Sequence, residues 1–316
     1  MSIFTDIILI VRSVPISVYK YTTANDKYKY ASRDYFSLEE KNMPVYFFRE
    51  DETMSEAAAK DKPKERARIH FLDELRGFAV FCMVFYHAFY TVGYLFNWQW
   101  GIWLMNFFMP AEPVFAGLFI FISGIASNLS HSNIERGAKL FFIAYIITVV
   151  TWFAIGEDGV IRFGILHMLS VCMMLYGILT KVCRLIPLWV GFAVNAALFV
   201  LTINVIWGSA GIPGVWQIGL PAEWYRTDFL YPLGFPYDGF MSSDYFPLLP
   251  WLFLFFAGCF FGRLAVQKKF PKFTYKNHIP FFSFMGRHAL LIYILHQPVI
   301  FGICKLLSML VFKGRA

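Results

Sequence analysis

LDELRGFAVFCMVFYHAFYTVGYLF, Leu72 to Phe96, is a membrane-length apolar segment that carries charge where a membrane helix should not. Asp73 and Arg76 stand at its start, and His87 lies well inside it. Eleven positions separate Arg76 from His87. At about 100° per residue both side chains then share one face, roughly 16 Å apart along the axis. Met83, Tyr90 and Tyr94 fall on the same face. The pattern predicts a transmembrane helix with a polar stripe aimed at a protein interior or a wet cavity. Ionisable groups at membrane depth cost several kcal/mol, which makes His87 a functional candidate. The blander alternative is a helix-end salt bridge between Asp73 and Arg76, with a histidine satisfied by one interhelical hydrogen bond.

Composition agrees with a membrane protein. Of 316 residues 58% are hydrophobic and 20% aromatic, while only 16% are charged. Those values exclude disorder and argue against an ordinary soluble domain. The net charge of +7 does not point to nucleic acid, because the basic residues cluster between apolar segments. Five cysteines (Cys82, Cys172, Cys183, Cys259, Cys304) show no ligand spacing, so neither a disulfide framework nor a zinc site is expected.

Six further candidate spans follow the first, at 102–129, 137–154, 163–181, 187–207, 247–266 and 285–311. The expected fold is therefore all-α: a polytopic transmembrane helical bundle of about seven spans, with an eighth, re-entrant piece left open. Pro110, Glu112 and Pro113 should break the second span or delay its start. Residues 1–66 differ from the rest. The run IFTDIILIV is too short to span and is interrupted by Asp6. Residues 1–66 are expected to be a disordered cytoplasmic extension, with Met54 a plausible alternative start, and 67–316 to form the membrane domain.

Charge orients the set. Lys62, Lys64, Arg66 and Arg68 precede the first span, and Arg136, Lys139, Lys181, Arg184 and Arg263 with four lysines fill alternate loops. The other loops hold Arg162 and Arg226 against Glu157, Asp158, Glu223, Asp228, Asp238 and Asp244. This predicts a multi-pass plasma-membrane protein with a cytoplasmic N-terminus. The longest connection, Gly208 to Phe246, then lies outside. Its Trp216, Trp224, Tyr225, Tyr231 and Tyr237 read as an interfacial aromatic belt or as a platform for a sugar-like acceptor.

Polar groups in or beside the spans are the candidates for chemistry. Besides Arg76 and His87 they are Glu112, Arg162, His167, Asp244, Arg287, His288 and His296. None of the histidines has metal-ligand spacing, and no P-loop, dinucleotide-binding glycine pattern or nucleophile elbow is present.

At these residues the chain resembles the integral-membrane acyltransferases. RIHFLDELRGFAVFCMVFYH (68–87) supplies an arginine-led LDxLRG at the membrane entry and a histidine eleven residues after the motif arginine. FIFISGIASNLS (119–130), IRFGILHMLSV (161–171), DYFPLLPWLFLFFAGCFFGRL (244–264) and GRHALLIYILHQPV (286–299) extend the likeness over about residues 66 to 311. It is similar to the compact bacterial proteins related to the catalytic domain of heparan-α-glucosaminide N-acetyltransferase. The resemblance implies acyl transfer, most simply of acetyl from cytoplasmic acetyl-CoA, to an acceptor hydroxyl or amine reached from the outer side. No tightly bound cofactor is implied. The partners implied are acyl-CoA, a glycan, lipid-linked or small-molecule acceptor, and membrane lipids. Under it His87, Arg76 and Asp73 are the catalytic candidates, with His87 as a general base or an acylated nucleophile. Arg68, Arg76 and Arg287 are the donor-binding candidates, since arginines hold phosphates bidentately. Glu112, Arg162, His167, Asp244 and His296 are the acceptor-side candidates. The rival class is a transporter or lipid-handling protein that uses Arg76, His87, Glu112 and His296 as an ion or proton path. A third reading is a catalytically silent assembly or sensor protein on the same scaffold. Turnover that requires CoA separates the enzyme from both.

Overall fold

The computed structural model of the chain describes residues 68–157 and 159–312. The expectations for the N-terminal extension, Met54 and Asp158 fall outside these residues. Within them the fold is mainly helical, and seven helical stretches are long and apolar enough to cross a membrane. They are His70–Tyr94, Gln99–Ser127, Asn133–Ile155, Ile165–Leu185, Leu188–Trp207, Leu248–Val266 and Ala289–Leu310.

The first stretch is α1 (His70–Tyr90), continued by a π-helical turn over Thr91–Leu95. The second is broken where its prolines predict. α2 (Gln99–Phe108) passes through a 3₁₀ turn at Met109–Ala111 into α3 (Glu112–Ser127), which carries Pro113 in its first turn, where a missing N–H costs nothing. α4 (Asn133–Ile155) starts on a Ser132 cap, whose hydroxyl accepts from the Glu135 amide. α5 (Ile165–Leu185) and α6 (Leu188–Thr202) follow after short connections. The long connection folds into an antiparallel hairpin of β1 (Ser209–Ile212) and β2 (Trp216–Gly219), then irregular backbone and two 3₁₀ turns. α7 (Leu248–Phe261) and the one-turn α8 (Arg263–Val266) complete the sixth stretch.

The last predicted span, 285–311, divides. α9 (Pro280–Arg287) ends at His288, whose backbone leaves the helical region, and α10 (Ala289–Phe312) begins afresh. The two pieces pack against different places on α1 and the segment that follows it. Phe281 and Phe282 of α9 pack edge-on against Phe81 and Phe78, whereas Phe301 of α10 meets Phe96. Glu74, buried in α1, accepts the amides of His278 (2.5 Å) and Ile279 (3.1 Å) and so caps the start of α9.

Two glycine pairs let helices approach at backbone distance. A Cβ on Gly77 would strike the Phe282 carbonyl, and one on Gly286 the Asp73 carbonyl, so α1 and α9 touch. Gly124 and Gly258 stand in the same relation for α3 and α7, against the Phe255 and Phe121 carbonyls. Around the second pair lies the main core, with Ile120, Met168, Cys172, Phe255 and Cys259 fully enclosed. Asn128 ties it together: its Nδ2 donates to the Cys259 carbonyl (2.7 Å), and its Oδ1 accepts from the Tyr176 hydroxyl (2.8 Å). Half of the most apolar window of α5 is buried, against 6% of that of α4. α5 is therefore a central helix, and α4 presents its apolar faces to the surroundings.

Candidate functional site

α1, α3, the segment before α7 and α10 enclose a cavity of about 160 Å³. Its polar lining is Tyr86, His87, Glu112, Ser243, Asp244, Tyr245 and Tyr293, set among Met83, Phe115 and other apolar groups. The stripe read from α1 thus reaches a cavity through Met83 and His87. Tyr90 and Tyr94 do not line it; their rings pair with each other at 5.3 Å on the exposed side of the helix. Tyr86, next to His87, lines it instead.

Asp244 is held by a strand-like pairing of two distant segments. Phe163 and Tyr245 form a parallel bridge, with the Ser243 amide on the Val160 carbonyl (3.2 Å) and the Phe246 amide on that of Phe163 (3.0 Å). This brings the carboxylate to the N-terminus of α5, where Oδ2 accepts from the Ile165 amide (3.2 Å), as a capping acid does. The same oxygen accepts the Tyr293 hydroxyl at 2.6 Å. Enclosure pushes the Asp244 carboxyl above its ordinary range, against the opposing pull of those two donors and of His296.

His87 makes no hydrogen bond to any described residue, and it lines the cavity. Behind it stands His296 of α10, buried, with the two ring centroids 4.9 Å apart and tilted by 52°. His296 Nδ1 lies 2.6 Å from the Tyr293 carbonyl, which only accepts, so Nδ1 is the protonated nitrogen. Its Nε2 is buried without a partner among the described residues.

His167 and Arg162 stand elsewhere. His167 Nδ1 accepts the Gly164 amide (3.3 Å), which leaves the hydrogen on Nε2, 3.3 Å from Thr148 Oγ1. Thr148 in turn donates to the Ile161 carbonyl at 2.6 Å. The imidazole is thus wholly engaged in fixing the turn into α5, and it is absent from the cavity lining. Arg162 reaches Tyr237 (3.0 Å) and Glu157 (3.5 Å). In the same loop Tyr231 stacks on Phe240, and the hydroxyl of Tyr225 bonds the Val205 carbonyl, while Trp216 and Trp224 remain exposed.

The cations at the entry to α1 form a second cluster. Asp73 is buried between Arg68 (Nε to Oδ2, 2.7 Å) and Arg76 (Nη1 to Oδ1, 3.6 Å). Arg68 is half exposed and Arg76 largely enclosed. Arg287 is exposed at the end of α9. The candidates therefore separate into four places: His87, Glu112 and Asp244 at the cavity with His296 behind His87, Arg68, Asp73 and Arg76 at the helix entry, His167 with Arg162 in the turn before α5, and Arg287 at the end of α9. Among the described residues no group of three His, Cys, Asp or Glu side chains is placed to hold a metal ion. Tyr86 and Tyr293 escaped sequence reasoning. The signal for Tyr293 was its position three residues before His296, on the same side of α10.

The arrangement can take a proton at His87, hold a polar acceptor against Glu112 and Asp244, and bind anions at the helix entry. A family model described as Heparan-alpha-glucosaminide N-acetyltransferase, catalytic, matches residues 68–298. No curated protein and no solved structure matches the chain.

Proposed function

Because the chain belongs to the heparan-alpha-glucosaminide N-acetyltransferase catalytic family, and so is a membrane acetyltransferase-like protein, we propose that it moves an acetyl group from cytoplasmic acetyl-CoA to an amine or hydroxyl acceptor reached from the other face. One observation carries the reading: a cavity that joins His87 to two carboxylic side chains lies deeper along the same helix than an arginine pair. At about 160 Å³ the cavity is below the roughly 300–1,000 Å³ that encloses a whole drug-sized ligand. It suits an acetyl group and the reacting end of an acceptor. The nucleotide of acetyl-CoA then stays at the helix entry, where Arg68 and Arg76 meet its phosphates.

In this reading His87 removes the proton of the acceptor as the nucleophile attacks the thioester carbonyl. The carbon–sulfur bond breaks, and the proton passes from His87 to the leaving sulfur, which departs as the CoA thiol. Glu112 and Asp244 orient the acceptor by its hydrogen-bond donors. The positive-inside charge pattern supports a cytoplasmic N-terminus and entry of the donor from that side. Family membership does not favour the transporter reading.

The test is acetyl transfer by the purified protein in liposomes, with labelled acetyl-CoA and amino-sugar, sugar and small amine acceptors. Acceptor-dependent release of CoA thiol with matching label in the acceptor is expected. Absence of transfer to any acceptor, or solute flux that needs no CoA, would sink the proposal.

A further inference from the structure

We infer that His296 is a positioning residue that holds His87 in the one neutral tautomer whose lone pair faces the cavity. Its catalytic consequence rests on the acetyltransferase reading above. Its structural content rests on the histidine pair alone.

Two neighbouring rings each have nitrogens to satisfy. His296 donates from Nδ1 to the Tyr293 carbonyl, so in the neutral ring Nε2 is an acceptor, and it is buried with no partner among the described residues. A buried acceptor left unpaired is costly and rare. His87, also without a hydrogen bond to any described residue, has its ring centred 4.9 Å away. A small rotation of the His87 ring brings one N–H onto His296 Nε2. That satisfies the buried acceptor and leaves the lone pair on the other nitrogen of His87, on the cavity side. The reverse assignment fails, because the hydrogen of His296 is committed to a carbonyl that cannot donate. Tyr293 fixes the register of the pair from both its ends: its carbonyl holds His296 and its hydroxyl holds Asp244.

The pairing has a direct effect on the reaction. The free base must present a lone pair, not an N–H, to the acceptor, and a wrong tautomer is unreactive. Once His87 has taken the acceptor proton, its other N–H still donates to His296, which stabilises the imidazolium until the proton moves to the CoA sulfur.

The decisive experiment is ¹⁵N NMR of histidine-labelled protein in nanodiscs, with the His87 signals assigned by their loss in His87→Gln. His296→Gln keeps a side-chain acceptor, whereas His296→Leu removes it at similar size. One His87 tautomer is expected in wild type and His296→Gln, and a mixture in His296→Leu. In acetyl transfer, His296→Leu should lower kcat by about tenfold or more with KM for acetyl-CoA unchanged, and His296→Gln should recover most of it. An unchanged His87 tautomer in monodisperse His296→Leu would overturn the inference, as would equal losses in both variants. If the tautomer responds as expected while wild type transfers no acetyl, the acetyltransferase reading falls and the positioning role stands.

Discussion

The Tyr293 hydroxyl donates to Asp244 over 2.6 Å, and this one contact joins the last helix to the loop before α7. The same carboxylate oxygen caps α5 through the Ile165 amide. Asp244 is thus a structural clasp as well as a wall of the cavity, and its protonation matters to the fold.

Asp244→Asn should flatten the pH dependence of stability. The Asp244 carboxyl is held above its ordinary value of 3.8 by enclosure. In the window from that value up to the raised one, the native state holds a proton that the unfolded state has released. Stability therefore falls as pH rises through this window. Asparagine keeps an oxygen for both donors and has no charge to desolvate. Melting temperatures in detergent from pH 4 to 8 should show wild type losing ground against Asp244→Asn as pH increases. A constant difference between the two would refute this.

His167→Ala should reduce stability more than chemistry. The imidazole accepts from Gly164 and donates toward Thr148, so its loss opens the turn that positions Ile161 to Ile165. A lost cap of this kind costs about 0.5–2 kcal/mol. The expected result is a lower melting temperature, with kcat of the folded fraction changed only a few fold. A selective rise in acceptor KM at unchanged stability would instead restore His167 to the acceptor side.

Much of this was legible in the sequence, and the rest was not for definite reasons. Span positions follow from length and apolar content, so all seven stretches stand close to their expected limits. The proline-flanked start of α3 and the α1 stripe at Met83 and His87 are equally local signals. What depends on contacts between distant residues was hidden. The division at His288 arises because α9 packs on α1 through Gly286, which hydropathy alone does not register. Glu74 reads as an ordinary member of the LDxLRG motif, and only the fold makes it the cap of a helix some 200 positions later. His167 and His296 look alike in sequence, yet one is engaged at both nitrogens and the other at one.

Gly286→Val should be among the most damaging changes outside the cavity. Any Cβ there meets the backbone of Asp73 and Gly77, so α9 must move off α1. Overpacking of a close contact typically costs about 1–3 kcal/mol. Gly302→Val, with open space around it, is the control and should be near neutral. Thermal unfolding of the two variants in the same detergent decides the point. Equal melting temperatures would show that the α1–α9 contact is loose.

Arg76→Ala should weaken acetyl-CoA binding, and Arg76→Lys should restore little of it. Arg76 is largely enclosed beside Asp73, with its guanidinium fixed at the start of α1. A planar, oriented fork can meet a phosphate with two hydrogen bonds, which a lysine cannot reproduce. Charge-assisted bonds are worth about 1.5–3 kcal/mol, which corresponds to roughly 10- to 100-fold in Kd. Calorimetric titration with acetyl-CoA, alongside melting curves, separates binding from folding. Wild-type affinity in a folded Arg76→Ala would assign this arginine to the Asp73 ion pair alone.

His87→Ala should abolish transfer while acetyl-CoA still binds. His87 faces the cavity with no hydrogen-bond partner among the described residues, while Arg76 lies about three helical turns away at the entry and Arg68 farther out, just before α1. Donor affinity and proton removal are then carried by different ends of one helix and can be lost separately. Removal of a general base costs about 10²–10⁴-fold in rate, and nothing in that role predicts a change in donor Kd. The comparison needs both measurements on one preparation: calorimetric binding of acetyl-CoA, and initial rates of label transfer at saturating donor. A fall in rate with unchanged Kd supports the division of labour. Loss of binding together with rate would place His87 in the donor site, and wild-type turnover would remove it from the mechanism. If a covalent acetyl-histidine forms instead, labelled acetyl-CoA without acceptor should leave label on wild-type protein and none on His87→Ala.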